Sequence, residues 1–203
     1  MLRRTMSARN MSICLGALVL VVALVLGVSE RPALGQVEMP DVLIVGDSLA
    51  VGTMPYLDSL LTDRNVTWDA VNGRTTPQGI HALRVDLRAV EPQAVVVSLG
   101  SNDGSDPRRF TRRLRLMLGD LSPSTCVIWT AIVRPRRKGA YRELNRALRA
   151  EAERDRRLVV INWDHAVRRG TVVLRDGLHA TPDGYRYRSL KIAQAVHAGC
   201  PAV

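Results

Sequence analysis

Short runs of apolar, mostly β-branched residues alternate along the chain with longer segments in which apolar residues repeat every three or four positions. The runs predict buried β-strands at residues 42–46, 66–71, 94–99, 126–133 and 158–163. The longer segments predict helices with apolar faces at Leu83, Leu87 and Val90, at Phe110, Leu114, Met117, Leu118 and Leu121, and at Tyr141, Leu144, Leu148 and Ala152. Thr181-Pro182-Asp183 predicts the start of a last helix that runs to Ala198. This alternation predicts an α/β fold, a three-layer α/β/α sandwich around a five-stranded parallel sheet.

Polar motifs follow the first three predicted strands. They are Gly46-Asp47-Ser48-Leu49, Val71-Asn72-Gly73-Arg74 and Gly100-Ser101-Asn102-Asp103. The carboxyl ends of parallel strands meet at one edge of a sheet, and functional crevices lie beyond that edge. We therefore expect these three motifs to converge.

The first motif presents a serine hydroxyl, which is a poor nucleophile unless a base, itself held by a third group, lies within hydrogen-bond reach. Asp176-Gly177-Leu178-His179 supplies both groups. A spacing of three on a loop lets the carboxylate reach Nδ1 of the imidazole while Nε2 faces the serine. Ser48, His179 and Asp176 are thus the predicted nucleophile, base and orienting acid. Asp164-His165 competes for the role of the base, but adjacent side chains point apart.

In chain order, Ser48, Gly73, Asn102 and His179 resemble the four blocks of the SGNH hydrolases, also called GDSL esterases. The resemblance covers nearly all of residues 41–198. It implies a flavodoxin-like SGNH fold and a serine esterase, a carboxylic ester hydrolase that works through a Ser48 acyl-enzyme. It also implies an oxyanion hole formed by the backbone N–H groups of Ser48 and Gly73 and the side-chain amide of Asn102.

Two further aspartates are expected to support the site from behind. Asp47 would hold the nucleophile loop, and Asp103 would hydrogen-bond within the turn beside Asn102. No His, Cys or carboxylate cluster has the spacing of a metal site, and no glycine loop suited to phosphate occurs in the sequence. We therefore expect neither a metal nor a cofactor.

The substrate class follows from a narrower resemblance. Residues 161–163 and 176–182 resemble the extracytoplasmic SGNH domains that accompany bacterial membrane O-acyltransferases acting on cell-surface glycans. This implies hydrolysis of O-acyl esters of a small molecule or a cell-surface glycan. The polar loops at residues 105–108 and 134–139 are short and leave little sequence for an apolar lid, which favours short acyl groups, above all acetyl. Two alternatives stay open. The same triad could move an acyl group to a glycan hydroxyl, as an O-acyltransferase does, or a degenerate domain could bind the glycan without turnover.

The N-terminus differs from the rest of the chain. Arg3, Arg4 and Arg9 precede an uncharged apolar stretch at residues 11–28. Residues 1–35 are therefore a signal peptide or a retained membrane anchor that contacts the bilayer through residues 11–28. Both alternatives place the catalytic domain, residues 36–203, outside the cytoplasm, either secreted or anchored to the cell membrane by one N-terminal helix.

Charge and cysteine content narrow the range of partners. The net charge is +10, and residues 36–203 keep +7 because the first 35 residues hold four arginines and one glutamate. A basic surface favours anionic polymers or headgroups, but no aromatic residues interleave the arginines, so nucleic acid is not an expected partner. The densest cluster, residues 134–138, is either a solvated loop or a rim that steers anions. The sequence does not specify an oligomeric state.

Cys126 and Cys200 form an even pair in an oxidising compartment. They could form a disulfide that ties the C-terminus to a central strand. The alternative is a free Cys126 buried as a small apolar residue.

Overall fold

The computed structural model describes residues 41–200, which fold into a parallel sheet between two layers of helices. The strands are β1 (Asp41–Gly46), β2 (Asn65–Ala70), β3 (Ala94–Ser98), β4 (Cys126–Thr130) and β5 (Leu158–Ile161). The helices are α1 (Ser48–Leu57), α2 (Thr76–Asp86), α3 (Pro107–Gly119), α4 (Arg142–Ala152), α5 (Trp163–Arg168) and α6 (Pro182–Ala198). The predicted α/β/α sandwich is confirmed.

All neighbouring strands are parallel, in the order β2-β1-β3-β4-β5. Ile44 at the centre of β1 lies opposite Trp68 of β2 and Val96 of β3. The chain moves outward from β1 to β2 and then crosses back to β3, so the strand order reverses between β1 and β3. In this flavodoxin-like order, ligands bind beyond the carboxyl ends of those two strands. Ser48 and Asn102 follow them.

Apolar side chains fill both faces of the sheet, because the central strands are buried on both sides. Leu43, Val97 and Trp129 pack against α2, α3 and α4 on one face. Ile44 and Val96 pack on the other face, against α1 and α6. Fully burying one such aliphatic side chain contributes about 1.5–3 kcal/mol, so these two clusters hold the sheet edge rigid beneath the site.

The second and third predicted strands end one residue late, and the fourth and fifth end three and two residues late. β4 ends at Thr130 and not at Val133, because the side chain of Asn145 in α4 takes over the backbone hydrogen bonds of Ile132. Asn145 Oδ1 accepts from the Ile132 N–H at 2.7 Å, and its Nδ2 donates to the Ile132 carbonyl at 2.8 Å. β5 ends at Ile161, and Trp163 begins the short helix α5.

The disulfide, and not the free thiol, is present. It joins Cys126 in β4 to Cys200, just beyond α6.

The leader predicted at residues 1–35, with its apolar stretch at 11–28, lies outside the described residues and stays a prediction. Among the helices within residues 41–200, none is both long enough and apolar enough to span a bilayer.

Candidate active site

A tight strand-to-helix turn presents Ser48 at the carboxyl edge of the sheet. The Asp47 N–H donates to the Ser98 carbonyl on β3 at 3.0 Å, and the Asp47 carboxylate caps α1 by accepting from the Leu49 N–H at 3.0 Å. A Cβ on Gly46 would lie 2.3 Å from the Cβ of Ala50, so only glycine lets β1 enter the helix so abruptly. Ser48 is therefore held at the first position of α1.

A hairpin turn presents the other two predicted groups. One carboxylate oxygen of Asp176 accepts from the backbone N–H groups of Leu178 at 3.0 Å and His179 at 2.7 Å. Gly177, which lies between Asp176 and Leu178, has a φ of 77°, a conformation that favours glycine. The turn leaves the second carboxylate oxygen of Asp176 for the imidazole.

Ser48, His179 and Asp176 form one hydrogen-bonded chain. The Nδ1 atom of His179 lies 2.8 Å from Asp176 Oδ2, and its Nε2 atom lies 3.0 Å from Ser48 Oγ. Because an ionised carboxylate only accepts, it places the ring proton on Nδ1 and leaves Nε2 to accept the serine hydroxyl. Hydrogen bonds from the ring and the backbone N–H of His179 hold the pKa of Asp176 well below its usual range.

Asn102 links its own motif to the motifs that contain Ser48 and Gly73. Its Nδ2 donates to Asp47 Oδ2 at 3.3 Å, beside Ser48, and to the Arg74 carbonyl at 3.2 Å, beside Gly73. The Arg74 N–H donates to the Val71 carbonyl, which closes a four-residue turn. The structure thus brings all four predicted motifs together at one edge.

The backbone N–H groups of Ser48 and Gly73 donate to no partner within residues 41–200. Ser48 lies in the first turn of α1, where the helix dipole places partial positive charge. A Cβ on Gly73 would meet no atom within 4 Å, and the φ of 78° explains the glycine instead. The residue is therefore favoured by its backbone conformation and not by crowding from the rest of the chain.

Residues 44–187, more than half of the chain, match the GDSL-like Lipase/Acylhydrolase family. The chain belongs to this family of hydrolases. No curated protein matches its sequence significantly.

Solved structures with this fold share little sequence with the chain. The lipase/acylhydrolase of Enterococcus faecalis superimposes with a TM-score of 0.69 at 20% identity, covering 80% of this chain and 98% of that one. The C-terminal catalytic domain of Streptococcus pneumoniae peptidoglycan O-acetyltransferase A gives 0.66 at 19%, covering 80% and 96%. An acetyl xylan esterase gives 0.66 at 16%, covering 77% and 99%. At these identities the likeness establishes the fold.

In this GDSL-like acylhydrolase, two buried aspartates lie behind the site. Asp47 is fully buried, and burial raises the pKa of its carboxyl above the usual range. The carboxylate of Asp103 accepts from the Thr76 N–H at 2.8 Å and pairs with Arg113 at 3.3 Å. Asp103 therefore ties the start of α2 to the loop that carries Asn102.

Arg188 on α6 is a component of the site region that the sequence reasoning missed. Its side chain is fully buried, its Nη2 donates to Ser98 Oγ at 2.8 Å and to Thr130 Oγ1 at 2.5 Å, and it lies 4.9 Å over the Trp163 ring. Ser98 in turn donates to Asp47 at 3.4 Å. Burial lowers the pKa of Arg188 to about 10, while the charge of Asp47 opposes that fall. Arg188 supplies the buried positive charge that opposes Asp47.

The competing pair, Asp164-His165, is engaged elsewhere. Asp164 is buried in ion pairs with Arg149 at 2.6 Å and Arg168 at 2.7 Å, and the pKa of its carboxyl is lowered by hydrogen bonds from both arginines, which outweigh burial. Asp164 lines a basic surface depression that none of the triad residues lines.

Across residues 41–200, no group of three metal-ligating side chains is placed to hold an ion.

Proposed function

We propose that this chain is an extracytoplasmic serine esterase that hydrolyses short O-acyl esters, above all O-acetyl esters of a cell-surface glycan, through a Ser48 acyl-enzyme. The observation that carries the proposal is the unbroken chain of hydrogen bonds from Asp176 through His179 to Ser48 at the carboxyl edge of the sheet. This geometry suits a nucleophile, its base and the group that orients the base.

In the first half-reaction, Ser48 Oγ attacks the acyl carbonyl and His179 Nε2 takes the hydroxyl proton. The negatively charged Asp176 stabilises the imidazolium that forms. The carbonyl oxygen becomes an oxyanion, which the N–H groups of Ser48 and Gly73 and the amide of Asn102 receive. When the tetrahedral intermediate collapses, the ester C–O bond breaks and the alcohol leaves with the proton from His179.

In the second half-reaction, water attacks the acyl-enzyme as His179 takes one of its protons. The same donors hold the second oxyanion, and its collapse releases the acid and returns the proton to Ser48. Donors fixed in place before the reaction act where charge develops, which is usually the largest catalytic contribution. The long hydrogen bond from Asn102 to the Arg74 carbonyl is suited to exchange because an oxyanion is a stronger acceptor than a carbonyl.

Two observations support a location outside the cytoplasm. The basic and apolar pattern of residues 1–28 is typical of an export signal or anchor. The disulfide between Cys126 and Cys200 suits an oxidising compartment, since cytosolic thiols are kept reduced. Protease added to intact cells should therefore cleave the catalytic domain, whereas a protected domain would refute the location.

An O-acyltransferase is the second candidate, favoured by the openness of the triad. The side chains of Asp176 and His179 are 45% and 33% exposed, so an acyl-enzyme on Ser48 would face solvent and could also meet a glycan hydroxyl. Adding a soluble glycan during ester turnover discriminates the two activities. A transferase forms acylated glycan at the expense of free acid, and an esterase does not.

A fluorophosphonate probe tests the nucleophile directly. The wild-type protein should take up one probe molecule, and Ser48→Ala should take up none and lose ester hydrolysis. Ser59→Ala is the matched control, because Ser59 is exposed and bonds only to the Tyr56 carbonyl. An unlabelled wild type would indicate the non-catalytic glycan-binding alternative, and a Ser48→Ala variant that still hydrolyses esters would exclude Ser48.

A further inference from the structure

The basic cluster at residues 134–138 is solvated only in part, because Arg134 is buried with 3% of its surface exposed, whereas Arg136 and Lys138 are exposed. Its guanidinium donates to the carbonyls of Gly139 at 3.1 Å and Ala140 at 2.8 Å on its own loop. It also donates to the Gly100 carbonyl at 3.2 Å and to the Asp103 carbonyl, on the loop that carries Asn102. Arg134 thus clamps the two loops to each other.

Gly139 lets the clamp close. Its φ is 87°, and a Cβ there would lie 2.2 Å from Ser105 Oγ, which itself accepts from Arg134 at 3.0 Å. The clamped loop forms a single 3₁₀ turn at Arg136–Lys138. This turn presents Lys138 to the site while Arg134 stays beneath.

Lys138 Nζ donates to Asn102 Oδ1 at 3.0 Å. An ammonium can only donate hydrogen bonds, so the amide atom that faces Lys138 must be the oxygen, which accepts, and not the NH₂ group. The NH₂ group of Asn102 must then face the opposite way, toward Asp47 and Arg74. A hydrogen bond from a cation to the amide oxygen also polarises the amide and strengthens its N–H groups as donors.

We propose that Lys138 is a positioning residue of the oxyanion hole, which selects the orientation of the Asn102 amide and polarises it. It acts through Asn102 and not by contact with the reacting atoms. The inference rests on the proposed function, since an oxyanion donor matters only where an acyl group is transferred. Removing a whole oxyanion donor costs about 10²- to 10³-fold in kcat, so loss of the residue that orients it is expected to cost about tenfold.

The kinetic test compares Lys138→Met with Arg136→Met, which removes the same charge from an exposed neighbour in the same turn. On p-nitrophenyl acetate, Lys138→Met should lower kcat about tenfold with little change in KM, and Arg136→Met should leave both unchanged. Lys138→Arg should recover most of the loss, because a guanidinium also donates to the amide oxygen. In an Asn102→Ala background, Lys138→Met should have no further effect, since the amide through which it acts is gone.

An equal loss with and without Asn102 would overturn the inference, as would an unaltered kcat in Lys138→Met. A spectroscopic readout separates this inference from the proposed function. In ¹⁵N–¹H spectra, Lys138→Met should shift the side-chain amide signals of Asn102, and Arg136→Met should not. Unshifted signals would refute the contact even if the enzyme is an esterase. Shifted signals in a protein that neither hydrolyses esters nor takes up the fluorophosphonate would keep the contact and refute its catalytic role along with the function.

Discussion

Replacing Arg188 by methionine should destabilise the domain in a way that depends on pH. Methionine retains much of the packing volume but removes the positive charge and the hydrogen bonds to Ser98 and Thr130. The carboxylate of Asp47, fully buried behind Ser48, is then left without its opposing charge. Removing one partner of a buried ion pair costs about 3–5 kcal/mol. Because Arg188 and Asp47 are linked through Ser98 and do not touch, we expect about 3 kcal/mol, at the lower end of that range.

The sign of the pH dependence follows from Asp47. Burial raises the pKa of its carboxyl in the folded state above the unfolded value, so folding favours the protonated form. The cost of burying the unpaired charge is therefore fully present when the pH is well above that raised pKa, and it falls as the pH is lowered through it. The difference in unfolding free energy between the wild type and Arg188→Met should narrow as the pH is lowered from neutrality.

Urea unfolding at a series of pH values measures this difference, and thermal melting provides a second measure. For a domain of this size, about 3 kcal/mol corresponds to a Tm lower by roughly 6–12 °C. The double variant Arg188→Met with Asp47→Asn should be more stable at pH 7 than Arg188→Met alone, because both buried charges are gone. A stability gap that stays constant with pH would show that Arg188 acts through packing alone and would refute the reasoning.

Four other predictions concern the site and the frame around it. Asn102→Ala should lower kcat about 10²- to 10³-fold with a much smaller change in KM, and an unchanged kcat would restrict the residue to a loop role. Asp176→Asn should lose about 10⁴-fold in kcat while its circular dichroism spectrum stays native, because the amide no longer holds the imidazole in the required tautomer; a smaller loss than in His165→Ala would mean that the base is misassigned. Reducing the Cys126–Cys200 disulfide, which spans 74 residues, should cost about 4 kcal/mol and lower the Tm measurably, and an unaltered Tm would contradict that contribution. With p-nitrophenyl esters of increasing chain length, activity should peak at acetate or butyrate, and an optimum at eight carbons or more would replace the glycan by a lipid.

The sheet could be predicted from the sequence because its strands are continuous apolar runs, and the motifs that follow them mark its functional edge. Helix α1 was not predicted. It contains Gly52 and Pro55, and its less buried positions include the apolar residues Val51 and Met54, so it lacks the polar face on which helical periodicity depends. Trp163 was assigned to a strand because it follows the β-branched run of β5, and only the packing against Arg188 and α6 shows that the chain turns into a helix there.

The buried cations were missed for a related reason. Arginine is expected at the surface unless it is paired, and no local pattern distinguishes a buried one. At Arg188 a signal did exist, since Tyr185, Ser189 and Ile192 define the buried face of α6 and Arg188 falls on it. At Arg134 the signal is only the nearby Gly139, because two of the four carbonyls that the guanidinium binds belong to a loop more than thirty positions away. Such contacts depend on tertiary structure.

The most direct test of the central claim is to trap the acyl-enzyme. The protein is quenched in acid during turnover of p-nitrophenyl acetate, digested, and mapped by mass spectrometry. The account predicts one acetyl group on the peptide that contains Ser48, located on Ser48 itself, and none in the Ser48→Ala variant. Steady turnover with the acetyl group on another residue, or undiminished turnover in Ser48→Ala, would contradict it.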